Sequence, residues 1–278
     1  MNLSRRLARI KLVISDIDGT IVGREVRMPS PRTVRAVHDL RAAGLYVSLA
    51  TARTWTQTWP LVQALGLEGE PMICCQGADL LIATGASSPE ILRQNRLPAN
   101  LAIEIVGWIR GAGLRPAAVP HTHHVWEARE EMHPLIAASD PAGREVSSLI
   151  ETCAEGALKV MGFSDQDFDP TFLAQARAAF AGRANLGWSS PGLLEWTALD
   201  ADKGQGAGWL AGYLNIEPEH ILALGDADND LPLLAAVGYR VAIGSNSAAL
   251  CALADECLPG VGEDGAALML EKVLAAQR

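Results

Sequence analysis

Two carboxylates one residue apart, followed by a glycine and a hydroxyl, stand where an apolar run ends: Asp16-Ile17-Asp18-Gly19-Thr20 follows Leu12-Val13-Ile14. A buried strand ending in this string places an acid nucleophile and a second acid at the carboxyl edge of a sheet, where open α/β folds put their ligands. That points to phosphate chemistry through a carboxylate. Asp-Gly alone is a common turn signal. The full string arises by chance in only roughly one chain in a few hundred of this length.

Three further stretches, each beside an apolar run or helix start, supply the other parts that phosphoryl transfer requires. After Tyr46-Val47-Ser48-Leu49-Ala50 comes Thr51-Ala52-Arg53, whose hydroxyl and following backbone N–H groups can hold a phosphate as the next helix begins. Asp202-Lys203-Gly204 opens a helical stretch and offers an ammonium that can neutralise a carboxylate and a phosphate oxygen together. Ile221-Leu222-Ala223-Leu224 runs into Gly225-Asp226-Ala227-Asp228-Asn229-Asp230, three acids and an amide in one loop. Helix capping accounts for Asp228 but not for the whole loop. A calcium loop needs a central glycine and a distal glutamate that are missing here, so Mg2+ fits better.

The elements that must position these groups are set by periodicity. Strands are expected at 12–15, 46–50 and 72–75, with helices at 31–43 and 55–65 between them, a rhythm that implies parallel strands. The pattern resumes with helix 203–214, strand 220–224, helix 230–236, strand 239–243 and helices 246–254 and 264–276. The fold class expected is α/β, a Rossmann-like doubly wound parallel sheet with an inserted α/β domain. The core comprises residues 1–84 and 199–278, and the insertion residues 85–198. Within the insertion, helices are expected at 99–112 and 170–181 and strands at 114–119, 123–128, 157–163, 184–189 and 193–197.

Composition narrows the classes. Of 278 residues, 49% are apolar and 20% charged, as in ordinary globular proteins. A net charge of −9 without a long Lys/Arg run argues against nucleic-acid binding. No apolar segment approaches the roughly 20 residues that span a bilayer, and the basic start of the chain leads to no secretory core. The expected location is the cytoplasm. Five cysteines, including Cys74-Cys75 in a strand-like run, read as buried thiols and not as a disulfide scaffold. His121-Thr122-His123-His124 has no Cys or acid cluster at ligand spacing and reads as structural or as part of a substrate rim. Trp108, Trp126, Trp188, Trp196 and Trp209 read mainly as core, with Trp126 and Trp188 as marginal substrate contacts. Arg129, Glu130 and Glu131 read as solvated.

With its four motifs in this order, the chain resembles the haloacid dehalogenase superfamily, and within it the Cof-type, sugar-phosphatase-like branch with a type IIB cap. Asp16–Thr20 matches the first motif, Thr51 the second, Lys203 the third and Gly225–Asp230 the fourth. Gly44, Gly77-Ala78 and Ile243-Gly244-Ser245-Asn246 also match. Two departures stand out: Ala52 replaces the glycine of Thr-Gly-Arg, and Gln76 replaces the asparagine of Asn-Gly-Ala.

The resemblance implies a Mg2+-dependent phosphatase. In that scheme Asp16 attacks phosphorus to give an aspartyl-phosphate and Asp18 is the acid/base. Gly19, Thr51, Ala52, Arg53, Lys203 and Asn229 bind the phosphoryl group or substrate. Asp16 and Asp226 ligate the metal through carboxylates and Asp18 through its backbone carbonyl, while Asp230 orients metal-bound water. Acting as an acid at neutral pH requires Asp18 to be protonated about 3 units above its ordinary value, about 4 kcal/mol uphill. Repulsion from Asp16 favours this, and Mg2+ and Lys203 oppose it. The implied partner is a small phosphorylated metabolite, a sugar phosphate or a phosphoglycerate derivative such as mannosyl-3-phosphoglycerate, bound by a monomer or homodimer, with no nucleic acid and no membrane. A phosphomutase using the same aspartyl-phosphate and a non-catalytic phosphometabolite-binding protein are the alternatives.

Overall fold

The computed structural model describes residues 3–23, 28–85, 89–127, 140, 142–245 and 247–278. Arg129, Glu130, Glu131 and Asn246 lie outside them. The strands are β1 (Leu12–Ser15), β2 (Tyr46–Leu49), β3 (Pro71–Cys74), β4 (Asp79–Ile82), β5 (Glu90–Gln94), β6 (Arg115–Val119) and β7 (Val125–Glu127). They continue with β8 (Arg144–Val146), β9 (Lys159–Phe163), β10 (Ala184–Ser190), β11 (Leu193–Ala198), β12 (Ile221–Gly225), β13 (Tyr239–Ile243) and β14 (Glu256–Leu258). The chain divides into two compact units. The first holds Met1–Thr51, Trp59–Leu92 and Asp202–Arg278, and the second Ala52–Thr58 and Arg93–Ala201.

The first unit is built on a five-stranded sheet in the order β14-β13-β12-β1-β2, with every pair parallel. Leu12, Val13 and Ile14 of β1 and Leu222, Ala223 and Leu224 of β12 are fully buried. These strands are covered on both faces, which is why they read as unbroken apolar runs. The helix Pro31–Ala42 shows how local sequence fixes the covering elements. The Ser30 side chain accepts from the Thr33 N–H and Pro31 occupies the first turn, while Gly44 leaves the helix end at φ +86°. Thr33, Ala36, Val37 and Leu40 turn inward at helical spacing. Truncating a residue as enclosed as Leu40 to alanine costs about 2–5 kcal/mol.

β3 departs from the expected sheet. It pairs antiparallel with β4 in a separate three-stranded sheet, β3-β4-β5, and reaches the parallel sheet through an isolated Ala50–Ile73 bridge. The short strands β4, β5, β8 and β14 carry no clear alternation, and periodicity did not reveal them.

The second unit is a six-stranded sheet in the order β10-β11-β9-β6-β7-β8, antiparallel except for β7–β8. Its core joins Leu101, Ile105 and Ile109 of the helix Ala99–Gly111 to Phe180 and Trp196. Trp108 packs edge-on to Trp196 with ring centroids 5.6 Å apart, whereas Trp188 and Trp209 are exposed. His124 is wholly buried, and its Nδ1 pairs with Asp140 at 2.7 Å. All five cysteines are free. Among the described residues, no helix is long and apolar enough to cross a membrane.

Candidate active site

Parallel pairing sets the geometry. Ser15 lies beside Leu224 and Leu49 in register, so the residues following β1, β12 and β2 emerge together at one sheet edge. Asp16 follows β1 and extends the ladder by donating its N–H to Leu224 O at 2.9 Å. Asp226 follows β12 and Thr51 follows β2 by two residues. The chain then turns sharply after β1, with the Thr20, Ile21 and Val22 amides all converging on the Ile17 carbonyl.

Lys203 opens the helix Lys203–Leu214, whose N-cap Asp202 accepts from the Gln205 N–H at 2.8 Å. The Lys203 side chain is buried, and its ammonium donates to Asp16 Oδ1 and to Asp230 Oδ1, both at 2.6 Å. Asp230 Oδ2 accepts the Asp226 and Ala227 N–H groups at 3.0 and 3.2 Å. Thus Asp230, and not Asp228, closes the acidic loop. Asp228 is exposed and accepts from the Ser247 hydroxyl. Thr20, fully buried, has its hydroxyl 3.4 Å from Asp16 Oδ2 and 3.3 Å from Asp226 Oδ1. It bridges two acids that come from different strands. As the last residue of Asp-x-Asp-Gly-Thr it was visible in the sequence, although nothing in that string alone marks it as a bridge between acids.

Asp16, Asp226 and Asp230 each offer an oxygen within 4.8 Å of the others. Burial, reinforced by Asp230 and Asp226 and opposed by Lys203, pushes the Asp16 carboxyl well above the ordinary carboxylate range. Burial, then Asp230, lifts Asp226 to about 6 against the pull of Lys203 and Thr20. Burial works to lower the Lys203 pKa, but Asp16 and Asp230 outweigh it and hold the ammonium above its ordinary value. Three acids therefore share one cation. Hard carboxylate oxygens with this excess of negative charge suit Mg2+.

Of the other residues singled out, Asp18 lies exposed on the turn and Gly19 adopts φ +92°. A Cβ on Gly19 would stand 2.2 Å from Asp226 Oδ2, so only glycine allows this approach. Gly225 is similarly constrained, since its Cβ would lie 2.5 Å from Asp230 Cβ. Asn229 is half-buried on the acidic loop. Thr51 is buried; its N–H donates to Ile73 O and its carbonyl accepts from the Gln76 N–H, both at 2.9 Å. Ala52 and Arg53 are half-buried and belong to the second unit. Cys75, Gln76 and Gly77 form a run of positive φ (51°, 61° and 97°) that turns the backbone back toward Thr51.

The fold and this charged centre define a Rossmann-like α/β hydrolase. The chain belongs to the haloacid dehalogenase-like hydrolases, whose family profile matches residues 13–270. It is 26% identical over 252 residues to the HMP-PP phosphatase of Serratia proteamaculans (strain 568), covering 84% of each chain. It is 27% identical over 264 residues to the phosphoglycolate phosphatase of Methanopyrus kandleri, covering 95% of this chain and 97% of that one. A HAD/COF-like hydrolase from Plasmodium vivax shares the fold with a TM-score of 0.85 at 19% identity, covering 99% of both chains.

Proposed function

We propose that the protein is a Mg2+-dependent phosphatase that hydrolyses a small phosphomonoester through an aspartyl-phosphate on Asp16. The observation that carries this is the placement of Asp16: a strand-end carboxylate within 2.6 Å of a buried ammonium and in one cluster with Asp226 and Asp230. Phosphatase names among relatives of similar length support it. The substrate class favoured is a sugar phosphate or a phosphoglycerate derivative.

Phosphate monoesters resist hydrolysis because their charge repels nucleophiles, so positioning and neutralisation dominate. Asp16 and Asp226 would hold Mg2+ through carboxylates and Asp18 through its backbone carbonyl, with Asp230 orienting metal-bound water; the ion would supply charge neutralisation. One Asp16 oxygen attacks phosphorus in line, and the ester oxygen leaves with a proton from Asp18. Lys203 keeps Asp16 oriented and offsets charge on the transferring group. Thr51, the Ala52 and Arg53 backbone, Gly19 and Asn229 hold the phosphoryl oxygens. Asp18 then takes a proton from water, which attacks the aspartyl-phosphate and frees inorganic phosphate. Residues 85–198 act as the cap that selects the substrate.

The test is phosphate release across a panel of sugar, glycerate and nucleotide monoesters, with Mg2+ and with EDTA. Release that needs Mg2+ is expected. Hexose-phosphate isomerisation with almost no free phosphate would replace the phosphatase by a mutase, and tight binding without turnover across the panel would leave a binding protein.

A further inference from the structure

The helix Lys203–Leu214 carries glycine at four of its twelve positions: 204, 206, 208 and 212. Glycine weakens a helix interior, because it loses more backbone freedom on folding than any other residue. The first turn is poorer still. It holds a lysine and no acid, although a positive charge there opposes the helix dipole. Helix formation therefore does not explain Lys203-Gly204-Gln205-Gly206.

The surroundings divide the four glycines into two pairs. A Cβ on Gly208 or Gly212 would meet nothing within 4 Å. A Cβ on Gly204 would stand 2.4 Å from the Pro232 carbonyl oxygen, and one on Gly206 would stand 2.6 Å from Ile73 Cγ2. A third close approach brackets the same turn: a Cβ on Gly77 would stand 2.0 Å from the Asp202 carbonyl oxygen. Neither oxygen is free to yield. The Asp202 carbonyl accepts the Gly206 N–H at 3.0 Å and the Pro232 carbonyl accepts the Ala236 N–H at 3.2 Å, each in the first turn of its own helix.

Pro232 belongs to the helix Leu231–Ala235, which starts directly after Asp230. The approach at Gly204 is therefore backbone against backbone, between the segment that carries Lys203 and the segment that carries Asp230. Those two side chains form a wholly buried ion pair at 2.6 Å. The same ammonium is 2.6 Å from Asp16 Oδ1. A side chain at 204 would wedge the two segments apart and draw the ammonium away from its carboxylates.

We propose that Gly204 is a positioning residue: its missing side chain lets the lysine helix close on the Asp230 segment and so sets the reach of the Lys203 ammonium to Asp16. Gly206 and Gly77 seat the same turn against β3 and the turn that follows it. The inference rests on the phosphatase reading for its catalytic meaning.

The test compares Gly204→Ala with Gly208→Ala, the same change in the same helix where the added methyl has room. Alanine favours helix, so Gly208→Ala should melt at or above the wild-type temperature, with unchanged kcat on p-nitrophenyl phosphate in Mg2+. Gly204→Ala, folded by circular dichroism, should lose about 10- to 100-fold in kcat, the scale of misplacing a catalytic group by about an ångström. A loss through general destabilisation would leave the Lys203 ammonium where it is. The chain has four lysines, Lys11, Lys159, Lys203 and Lys272, so the 15N resonance of this ammonium is assigned by its disappearance in Lys203→Arg. It should shift and exchange faster with water in Gly204→Ala and stay in place in Gly208→Ala. Should Gly204→Ala fail to fold, Gly206→Ala carries the same two readouts, because its Cβ meets a side-chain methyl that can shift. Wild-type kcat in the folded variant overturns the proposal, and so does an unmoved ammonium resonance. Should the wild type release no phosphate from any ester, the phosphatase reading fails first. The resonance, which needs no substrate, then still decides whether Gly204 places the ammonium.

Discussion

The Lys203 ammonium sits 2.6 Å from Asp16 Oδ1, and the same nitrogen is 2.6 Å from Asp230 Oδ1. One cation thereby binds the strand-end acid after β1 to the acidic loop after β12. Removing it leaves three neighbouring carboxylates without a compensating charge. Lys203→Met should therefore cost about 3–5 kcal/mol of stability at neutral pH, the range for breaking a buried pair from one side. Urea denaturation at pH 7 measures this, and a loss below about 1 kcal/mol would mean that the ammonium is not carrying the cluster. Phosphate release should fall along with stability.

Crowding of the acids sets a pH dependence in the metal-free protein. Asp226 stands at about 6, against an ordinary aspartate value near 3.9. The folded state thus favours the protonated form. Its contribution to stability is fully present below about pH 4 and is lost as pH rises toward about 6. Asp16 shifts in the same direction. Asp140 behaves oppositely. Although burial alone would raise its pKa, hydrogen bonds from His124 and Thr56 hold it below the usual range, so its contribution is lost only as pH falls below about 4. In EDTA the melting temperature should decline between pH 4 and 6, and Mg2+ should restore it most at pH 7, where the acids are ionised. At a hundred times its Kd the ion adds about 2.7 kcal/mol. A melting temperature indifferent to both pH and Mg2+ would argue that the cluster binds no cation.

Asp16→Asn separates chemistry from stability. An amide cannot attack phosphorus as a carboxylate does, so turnover should drop at least ~1000-fold, about 4 kcal/mol of barrier. Yet the substitution also removes one of three acids competing for Lys203. In EDTA at pH 7 the variant should melt at or above the wild-type temperature, as expected where function holds like charges together. An unchanged rate would remove Asp16 from the nucleophile role. A marked fall in melting temperature would show instead that the Asp16–Lys203 bond outweighs the repulsion.

The sequence made the first half of this arrangement readable and hid the second. Leu12–Ile14 and Ile221–Leu224 are unbroken apolar runs, so both had to be interior parallel strands, and the residues just beyond each had to emerge at a ligand-binding edge. Lys203 was legible because Asp202 marks the start of its helix. By contrast, the side chains of Asp228 and Asp230 are the same, and it was the resemblance to the fourth motif, not the composition of the loop, that set Asp230 beside the metal and left Asp228 to capping. The fold turns Asp230 inward, fully buried, and leaves Asp228 on the surface. Lys159 and Glu195, a buried ion pair on β9 and β11, lie 36 residues apart, each resembling an ordinary surface charge on a strand. β3 was a sound strand, but its partner is decided by the strained turn at Cys75–Gly77, which sends the chain back antiparallel as β4. Such long-range choices leave no local signature.

Gly19 and Gly44 provide a matched test of how closely the loop after β1 is fitted to the acids. Both hold positive φ, +92° and +86°, so an alanine at either costs about 1–2 kcal/mol of backbone strain. Their surroundings differ. A Cβ on Gly44 meets nothing within 4 Å, whereas one on Gly19 would fall 2.2 Å from Asp226 Oδ2 and 2.5 Å from its Cγ. Accommodating it requires the Asp226 carboxylate to swing away from Thr20 and from Asp16. Gly44→Ala should lower the melting temperature while leaving phosphate release and its Mg2+ requirement as in the wild type. Gly19→Ala should lower it at least as far and also demand more Mg2+ for half-maximal activity, by about 10- to 100-fold, the usual effect of disturbing a ligand's support. Equal Mg2+ requirements in the two variants would mean that Asp226 need not occupy its present place for the metal to bind.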